Sequence, residues 1–323
     1  MSNYTIRKLQ NTEFDLLIPL MKDCFGMNVD LEYFQWKFVK NPAGFVLGFI
    51  AVSDEGEIAA YYGVIPEFYV LDGVVTTIYQ SCDTMTHSRH RRKGLFEKLA
   101  RHCFDYLRKE NKLFVIGFGG VESTPGLLKF GWQRSFNVRH YFYPRIFSWV
   151  TGASKDNHIS EITNYADIES IIYNSNSVVP YHSHKTLEVF TWRVSNPFYK
   201  YKVIAYKSDP KDKEYNSYLC YYFAVNRIVL FDFHFRDKTA AKALIQYLKE
   251  LRVESGAKAI IAFCQENSIY AKTLQQRGFI YNPFSRGPLS VRSPFVFITK
   301  EEDMNKYNAP RKWLINSFDH DAM

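Results

Sequence analysis

Cysteine is scarce in this chain of 323 residues, which contains only five. An odd number at wide spacing is not a disulfide framework, and no Cys-x-x-Cys pair or cysteine–histidine cluster indicates zinc, so we expect no metal. The sequence also lacks an apolar run near the roughly 20 residues that a bilayer span needs, and it does not open with a secretory signal peptide. These absences predict a reduced, cytoplasmic protein with no membrane span.

Basic tails are missing as well, although the net charge is +8. The lysines and arginines are spread along the chain, and no signature of RNA or DNA binding is present. Because a positive field attracts anions in general, we expect a phosphate-bearing small molecule rather than nucleic acid as the partner. Hydrophobic residues at 46% and charged residues at 23% are typical of an ordinary globular protein.

The length and the hydrophobic pattern predict an α/β protein with two domains. In the first half, short strands alternate with amphipathic helices. The clearest helix begins near Leu95 and carries apolar residues on one face at a period of 3.6. A polar stretch with turn-forming residues lies between residues 145 and 165. We therefore divide the chain into residues 1–150 and 151–323.

A short segment of the first half recurs in the second half. Residues 34–42 read Phe-Gln-Trp-Lys-Phe-Val-Lys-Asn-Pro, and residues 190–197 read Phe-Thr-Trp-Arg-Val-Ser-Asn-Pro, one residue shorter. A second pair follows in the same order, with Lys-Phe-Gly-Trp at 129–132 and Gln-Arg-Gly-Phe at 276–279. Two matched landmarks at similar offsets indicate a duplicated domain.

The most informative segment is a basic turn between a strand and the helix that begins near Leu95. It contains Arg91, Arg92, Lys93 and Gly94. A helix start offers free N–H groups and the positive end of a dipole, which suits a pyrophosphate, and a glycine lets phosphate oxygens approach the backbone. Basic turns are also common on solvated surfaces, so this turn alone does not separate a ligand site from an ordinary helix start.

The same segment resembles motif A of the GNAT superfamily of acyl-CoA N-acyltransferases, whose signature is Gln/Arg-x-x-Gly-x-Gly/Ala. Arg91 and Gly94 match the first two positions, whereas Phe96 stands where the third has glycine or alanine. The resemblance covers about residues 45–135. It implies two tandem GNAT-like domains, each a twisted mixed β-sheet flanked by helices, with the second degenerate. It also implies acyl-CoA as a co-substrate, bound by Met85, Thr86, Arg91, Arg92, Lys93, Gly94, Leu95 and Phe96.

Acyl transfer to an amine needs a base for the amine's proton. In the family, the strand before the basic turn borders the thioester, and Asp83 is the only carboxylate on that strand here. We expect Asp83 to be the base, with a merely hydrogen-bonded strand residue as the alternative, and Glu122 to be the next carboxylate in reach. Gln80 lies near the place where some members carry a glutamate base, and we assign it to substrate binding. Leu127 occupies the position where many members have a tyrosine that acts as an acid.

The second half has no Arg-x-x-Gly turn before its long helix, so we expect one acyl-CoA site per chain. The second half then either shapes the acceptor pocket or is purely structural. The segments around Trp36, Asp83 and Gly94 resemble bacterial acyltransferases of surface-polysaccharide synthesis, some of which acylate a nucleotide-linked amino sugar. We therefore predict such an anionic acceptor, with Trp36 as a substrate contact. Another small amine, or a non-catalytic module that binds CoA or a protein, remains an alternative, and a monomer is a plausible state.

Overall fold

The computed structural model describes residues 3–120, 124–145, 156–284, 286–287, 289–290 and 292–320. Its strands are β1 (Tyr4–Lys8), β2 (Leu47–Ser53), β3 (Ile58–Leu71), β4 (Val74–Thr86), β5 (Phe114–Phe118), β6 (Gln133–Pro144), β7 (Ile159–Ile162), β8 (Tyr181–Ser183), β9 (Lys202–Tyr206), β10 (Ser217–Ala224), β11 (Arg227–His234), β12 (Ala259–Gln265), β13 (Arg292–Thr299) and β14 (Trp313–Leu314). Its α-helices are α1 (Ile18–Phe25), α2 (Leu31–Phe34), α3 (Leu95–Lys109), α4 (Thr124–Lys129), α5 (Glu169–Asn174), α6 (Leu187–Val194), α7 (Lys238–Glu254), α8 (Ile269–Gln276) and α9 (Met304–Tyr307).

Local sequence explains the main elements. The turn Asp72-Gly73, with both residues at positive φ, joins β3 and β4 into one long hairpin. The apolar face of α3 is buried against the sheet, as its period predicts. No helix in the described ranges is long and apolar enough to cross a membrane. Residues 146–155 of the polar stretch predicted as a boundary lie outside the described residues.

Within the described part of the chain, fourteen strands form one mixed sheet. The main path runs β1-β2-β3-β4-β5-β13-β6-β12-β11-β10-β9-β7, while β8 pairs with β3 and β14 pairs with β8. Each half repeats the same order, because β1 to β5 mirror β7 and β9 to β12. The predicted α/β class, with tandem GNAT-like halves of mixed sheet and helices, is confirmed.

The last strand of each half lies in the other half. β13 pairs antiparallel with β5, whereas β6 pairs antiparallel with β12. β6 and β13 also pair with each other at the centre of the sheet. A division of the chain at residue 150 therefore separates the repeats in sequence but cuts through a continuous sheet. Each half contributes a strand to the sheet of the other half, so the halves are not independent units.

The repeated segment that runs from Trp to Asn-Pro joins the halves. The indole rings of Trp36 and Trp192 stack with centroids 5.6 Å apart. The Nε1 of Trp36 donates to the carbonyl oxygen of Trp192 at 2.7 Å, and the Nε1 of Trp192 donates to that of Trp36 at 2.8 Å. Both rings are buried. This reciprocal contact, here called the tryptophan pair, is what a local two-fold relation between repeats produces.

The C-terminal segment, residues 313–320, lies against the second half. β11 and β12 are paired in parallel only as far as Leu230 and Ala262. Beyond that point, the Oγ of Ser317 lies 3.2 Å from the carbonyl oxygen of Leu230 and 3.3 Å from that of Phe263, and it accepts the N–H of Phe263 at 3.1 Å. The chain itself therefore fills the gap between β11 and β12.

Candidate active site

The equivalent gap in the first half is open. β4 and β5 pair in parallel at Tyr79 with Val115 and at Gln80 with Ile116, and then diverge. The diverging ends border a cavity of about 800 Å³. A β-bulge shapes one wall, because Asp83 and Thr84 together oppose a single residue of β3. Asp83 has a φ of +46°, a conformation that aspartate tolerates better than most residues.

The cavity passes from one face of the sheet to the other. On the side of α3 and α4 it is bordered by Phe96, Gly126 and Leu127, and on the side of α1 and α2 it is bordered by Phe25 and Tyr33. The second half also contributes to the wall, through Asn196, Phe198, Tyr199 and His320. A molecule threaded between the strands would thus reach two chemically different chambers.

The predicted phosphate turn lies where the sequence places it, between β4 and α3. Arg92 and Gly94 both have positive φ, at 63° and 71°, and Gly94 is the N-cap residue of α3. No side chain among the described residues caps this helix, so the first N–H groups of α3 stay available to a ligand. An added Cβ at Gly94 would meet nothing within 4 Å. The glycine is therefore required by its backbone conformation rather than by crowding.

Neighbouring elements hold this turn in place. The carboxylate of Asp23, at the end of α1, accepts the N–H of Ser88 at 2.7 Å and its hydroxyl at 2.8 Å. These two hydrogen bonds lower the pKa of Asp23. Glu57, from the β2–β3 hairpin, contacts Arg89 and the Nε2 of His90, and the bond to His90 is the main cause of its lowered pKa.

Ligand atoms of Glu57, His87 and His90 lie within 4.8 Å of one another, a geometry that a metal ion can use. Each group already has a protein partner: Arg89 contacts Glu57, its backbone N–H donates to His87, and the hydroxyl of Tyr4 lies 2.9 Å from His90. We assign the cluster to anchoring the turn.

Comparison with known proteins gives the same description of the first half. Residues 5–135 match the model of an acetyltransferase (GNAT) domain. The first half of this chain is therefore similar to GNAT domains, and the match covers residues 5–135 of 323. No curated protein sequence matches this one.

Solved structures extend the likeness to the whole chain, in fold alone. A probable N-acyltransferase from Enterococcus faecalis superimposes with a TM-score of 0.67 at 12% identity, over 91% of this chain and 72% of that one. A GCN5-related N-acetyltransferase from Anabaena variabilis gives a TM-score of 0.66 at 9% identity, over 91% and 72%. Saccharomyces cerevisiae N-myristoyltransferase with bound myristoyl-CoA gives 0.64 at 12% identity, over 92% and 79%.

Asp83 lies on the cavity wall, but its carboxylate is already paired. Its Oδ2 is 2.8 Å from the Nζ of Lys37, whose side chain is only 1% exposed. The same Nζ donates to the hydroxyl of Tyr33 at 3.2 Å. Lys37 comes from the π-helical turn Gln35–Val39 that continues α2. Lys37 and Tyr33 could not be predicted as site residues, because nothing local in the sequence indicates that this helix packs beside the bulge of β4.

The structure moves two predicted substrate contacts away from the cavity. Trp36 is 3% exposed and belongs to the tryptophan pair, so its side chain does not line the cavity, and its contact with substrate stays a prediction. Gln80 is fully buried on β4, and its Nε2 donates to the carbonyl oxygen of Asp319 at 2.6 Å. The amide of Gln80 thus contacts the C-terminal segment. Glu122, the second predicted carboxylate, lies outside the described residues.

The predicted acyl-CoA residues divide into two sets. Thr86 and Phe96 line the cavity, whereas the Met85 side chain is 1% exposed and packs in the core between β4 and α1. Met85 can therefore offer only its backbone. Arg91, Arg92 and Lys93 are exposed around the turn, and Leu95 packs under α3.

Phe96 shows how the chain accommodates its departure from the GNAT signature. The ring lies 5.9 Å from that of Tyr62 and 5.7 Å from that of Phe130. A Cβ on Gly126 would stand 3.7 Å from its edge. That distance is an ordinary van der Waals contact, so α4 packs against the Phe96 ring without crowding it. Only the Phe96 side chain points into this packing, so its N–H remains at the helix start.

Proposed function

We propose that this chain is an acyl-CoA-dependent N-acyltransferase whose acyl-CoA lies in the gap between β4 and β5. The proposal rests on three features together: diverging parallel strands, a cavity that crosses the sheet, and a helix start without a side-chain cap next to three basic residues. The pyrophosphate binds at the N–H groups of Leu95 and Phe96, within the field of Arg91, Arg92 and Lys93. Helix dipole and side-chain charge then act on the same anion.

The pantetheine arm runs between the strands toward the bulge at Asp83. An extended amide chain finds backbone partners at strand ends that have lost their neighbours, and the edge of β4 near Met85 and Thr86 provides them. The thioester then lies between the two chambers of the cavity. A backbone N–H at a strand end is a suitable donor to the tetrahedral oxyanion.

The acceptor amine enters from the side of α1, α2 and the second half. We propose a nucleotide-linked amino sugar, used in surface-polysaccharide synthesis, as that acceptor. The resemblance of the Trp36, Asp83 and Gly94 segments to such enzymes supports it, as does the +8 charge. Aromatic rings of Phe198 and Tyr199 on this side offer flat surfaces for a sugar or a base, and Asp83 offers a negative charge to the acceptor's ammonium group.

Two measurements test this function. Calorimetry should show one acyl-CoA per chain, and free thiol should appear when acetyl-CoA is mixed with a nucleotide-linked amino sugar. The same sugar with a hydroxyl in place of the amine is the matched control and should release no CoA. Release of CoA only with a different amine would refute the amino sugar as the acceptor but would support the acyltransferase activity. Binding without release, across a panel of amines and acyl-CoA lengths, would favour a non-catalytic module.

A further inference from the structure

His320 is the last described residue of the C-terminal segment. It lines the cavity between β4 and β5, whereas the preceding residues of the segment fill the gap between β11 and β12. The His320 ring lies 4.5 Å from that of Phe118, at the end of β5, and 5.1 Å from that of Phe263. It lines the same cavity as Asp83. The segment that closes the second gap therefore places an imidazole in the first.

Buried side chains fix three successive carbonyl groups of this segment. Arg193 is 3% exposed, and its Nη2 donates to the carbonyl oxygen of Phe318 at 2.7 Å and to that of His320 at 2.6 Å. Gln80 donates to the carbonyl between them, that of Asp319. The Asp319 carboxylate also accepts the N–H of Asn316 at 2.8 Å. A segment held at consecutive residues by buried donors is preorganised, which is what a reacting group requires.

The donors come from both halves. Gln80 belongs to β4 in the first half, whereas Arg193 follows Trp192 in the copy of the repeated segment in the second half. Its counterpart in the first copy is Lys37, which follows Trp36 and contacts Asp83. The same position of the repeat thus directs a buried cation to one side of the cavity in the first copy and to the backbone of His320 in the second.

The chemistry of the cavity then distinguishes its aspartate from its histidine. Asp83 already has an ammonium partner in Lys37. Among the described residues that line the cavity, His320 is the only imidazole, and histidine is the side chain that exchanges protons near neutral pH. A general base is most effective when it titrates near the working pH.

Building on the proposed function, we infer that His320 is the general base of the transfer and that Asp83 receives the acceptor's ammonium group. His320 removes one proton from the bound ammonium, and the neutral nitrogen attacks the thioester carbonyl. As the C–S bond breaks, the thiolate leaves with the electron pair. The second amine proton goes to that thiolate, giving an amide and free CoA, and His320 then returns its proton to solvent. Gln80 and Arg193 are positioning residues for this base.

The test uses His320→Gln, with His102→Gln as the matched control, because His102 lies on the exposed side of α3. We expect His320→Gln to reduce kcat by about 100-fold or more while acyl-CoA affinity and thermal unfolding stay unchanged. The acid limb of kcat/KM for acyl-CoA, measured at saturating acceptor between pH 5 and 8, should disappear. Asp83→Asn should keep that limb and raise the acceptor KM instead. Gln80→Leu should lower kcat while the limb persists.

The outcomes separate this inference from the function on which it rests. Failure of the wild-type protein to bind acyl-CoA or to release CoA would refute both. If the wild-type protein is active and the His320→Gln variant keeps its kcat and its acid limb, the assignment of His320 as the base is refuted, but the proposed function is not. Loss of the limb in Asp83→Asn, but not in His320→Gln, would assign proton acceptance to Asp83.

Discussion

The two halves of this molecule contain the same structural gap and use it in opposite ways. In both, a pair of parallel strands separates partway along, after Gln80 and Ile116 in the first half and after Leu230 and Ala262 in the second. Separated strands leave backbone groups that need partners. In the second half Ser317 and its neighbours supply them, whereas the first half keeps an open cavity. A shared scaffold thus becomes a site or a support according to what fills its gap.

The helices that follow the two gaps differ in the same sense. Asp237 caps α7, and its carboxylate accepts the N–H groups of Thr239 at 2.8 Å and Ala240 at 2.9 Å. The N-cap of α3 is Gly94, which has no side chain to accept them. An acidic cap supplies the negative charge that a helix start attracts. The N-terminus of α7 is therefore already occupied by the carboxylate of Asp237, whereas the N-terminus of α3 is free to bind an anionic ligand.

Substitutions in the tryptophan pair should have the largest effect, because this contact joins the two halves. Trp36→Ala or Trp192→Ala should each lower the free energy of unfolding by about 3–5 kcal/mol, because a large buried ring and a hydrogen bond are lost together. Denaturant unfolding measures this change. The two variants should have similar effects, and the double variant should cost less than the two added, since the rings contact each other. A variant at Trp36 that alters acceptor KM without loss of stability would restore Trp36 as a substrate contact.

The phosphate turn gives the next largest effect. Gly94→Asp should reduce CoA affinity by about 100-fold or more, because a negative charge a few ångströms from a pyrophosphate costs several kcal/mol at an effective dielectric constant near 20. Gly256→Asp is the matched control: Gly256 has a φ of 70°, and an added Cβ there meets nothing within 4 Å. Both variants bear the same backbone strain. Calorimetry should show normal CoA affinity for the control, and equal losses in the two would remove the turn from the site.

The segment that fills the second gap gives the smallest effect. Ser317→Ala should lower the free energy of unfolding by about 1–2 kcal/mol, because the N–H of Phe263 loses its acceptor in a buried place. We expect the variant to bind one acyl-CoA per chain, as the wild type should, because Asp237 still blocks the helix start. Titration calorimetry counts the sites. A stoichiometry of two, in either protein, would show that the second half is not degenerate.

Much of the first half could be predicted because its signals are local. The period of α3, the hairpin at Asp72-Gly73 and the basic turn each lie within a few consecutive residues. The duplication was also readable, although the two tryptophans gave no sign that they contact each other. Aromatic residues suit both ligand contacts and cores, which is why Trp36 was assigned to substrate.

The parts that sequence did not predict all depend on distant contacts. The exchange of β6 and β13 leaves each strand with an ordinary alternating pattern, because a strand's residues do not specify its partner. His320 and Asp83 are far apart in the chain and meet only through the sheet order. Gln80 was placed correctly on β4, but its side chain points to the face where the C-terminal segment packs. Such information lies in topology rather than in motifs.

The strand exchange also bears on how the protein is made. As the chain leaves the ribosome, β5 is complete long before β13, its neighbour, has been synthesised. At translation rates of about 5–20 residues per second, that edge waits roughly 10–40 seconds for its partner. An unpaired strand edge invites pairing with other chains. Truncation before β13 or slow translation of the second half should therefore lead to aggregation of the first half. Chaperones should bind the nascent chain mainly between the synthesis of β5 and that of β13.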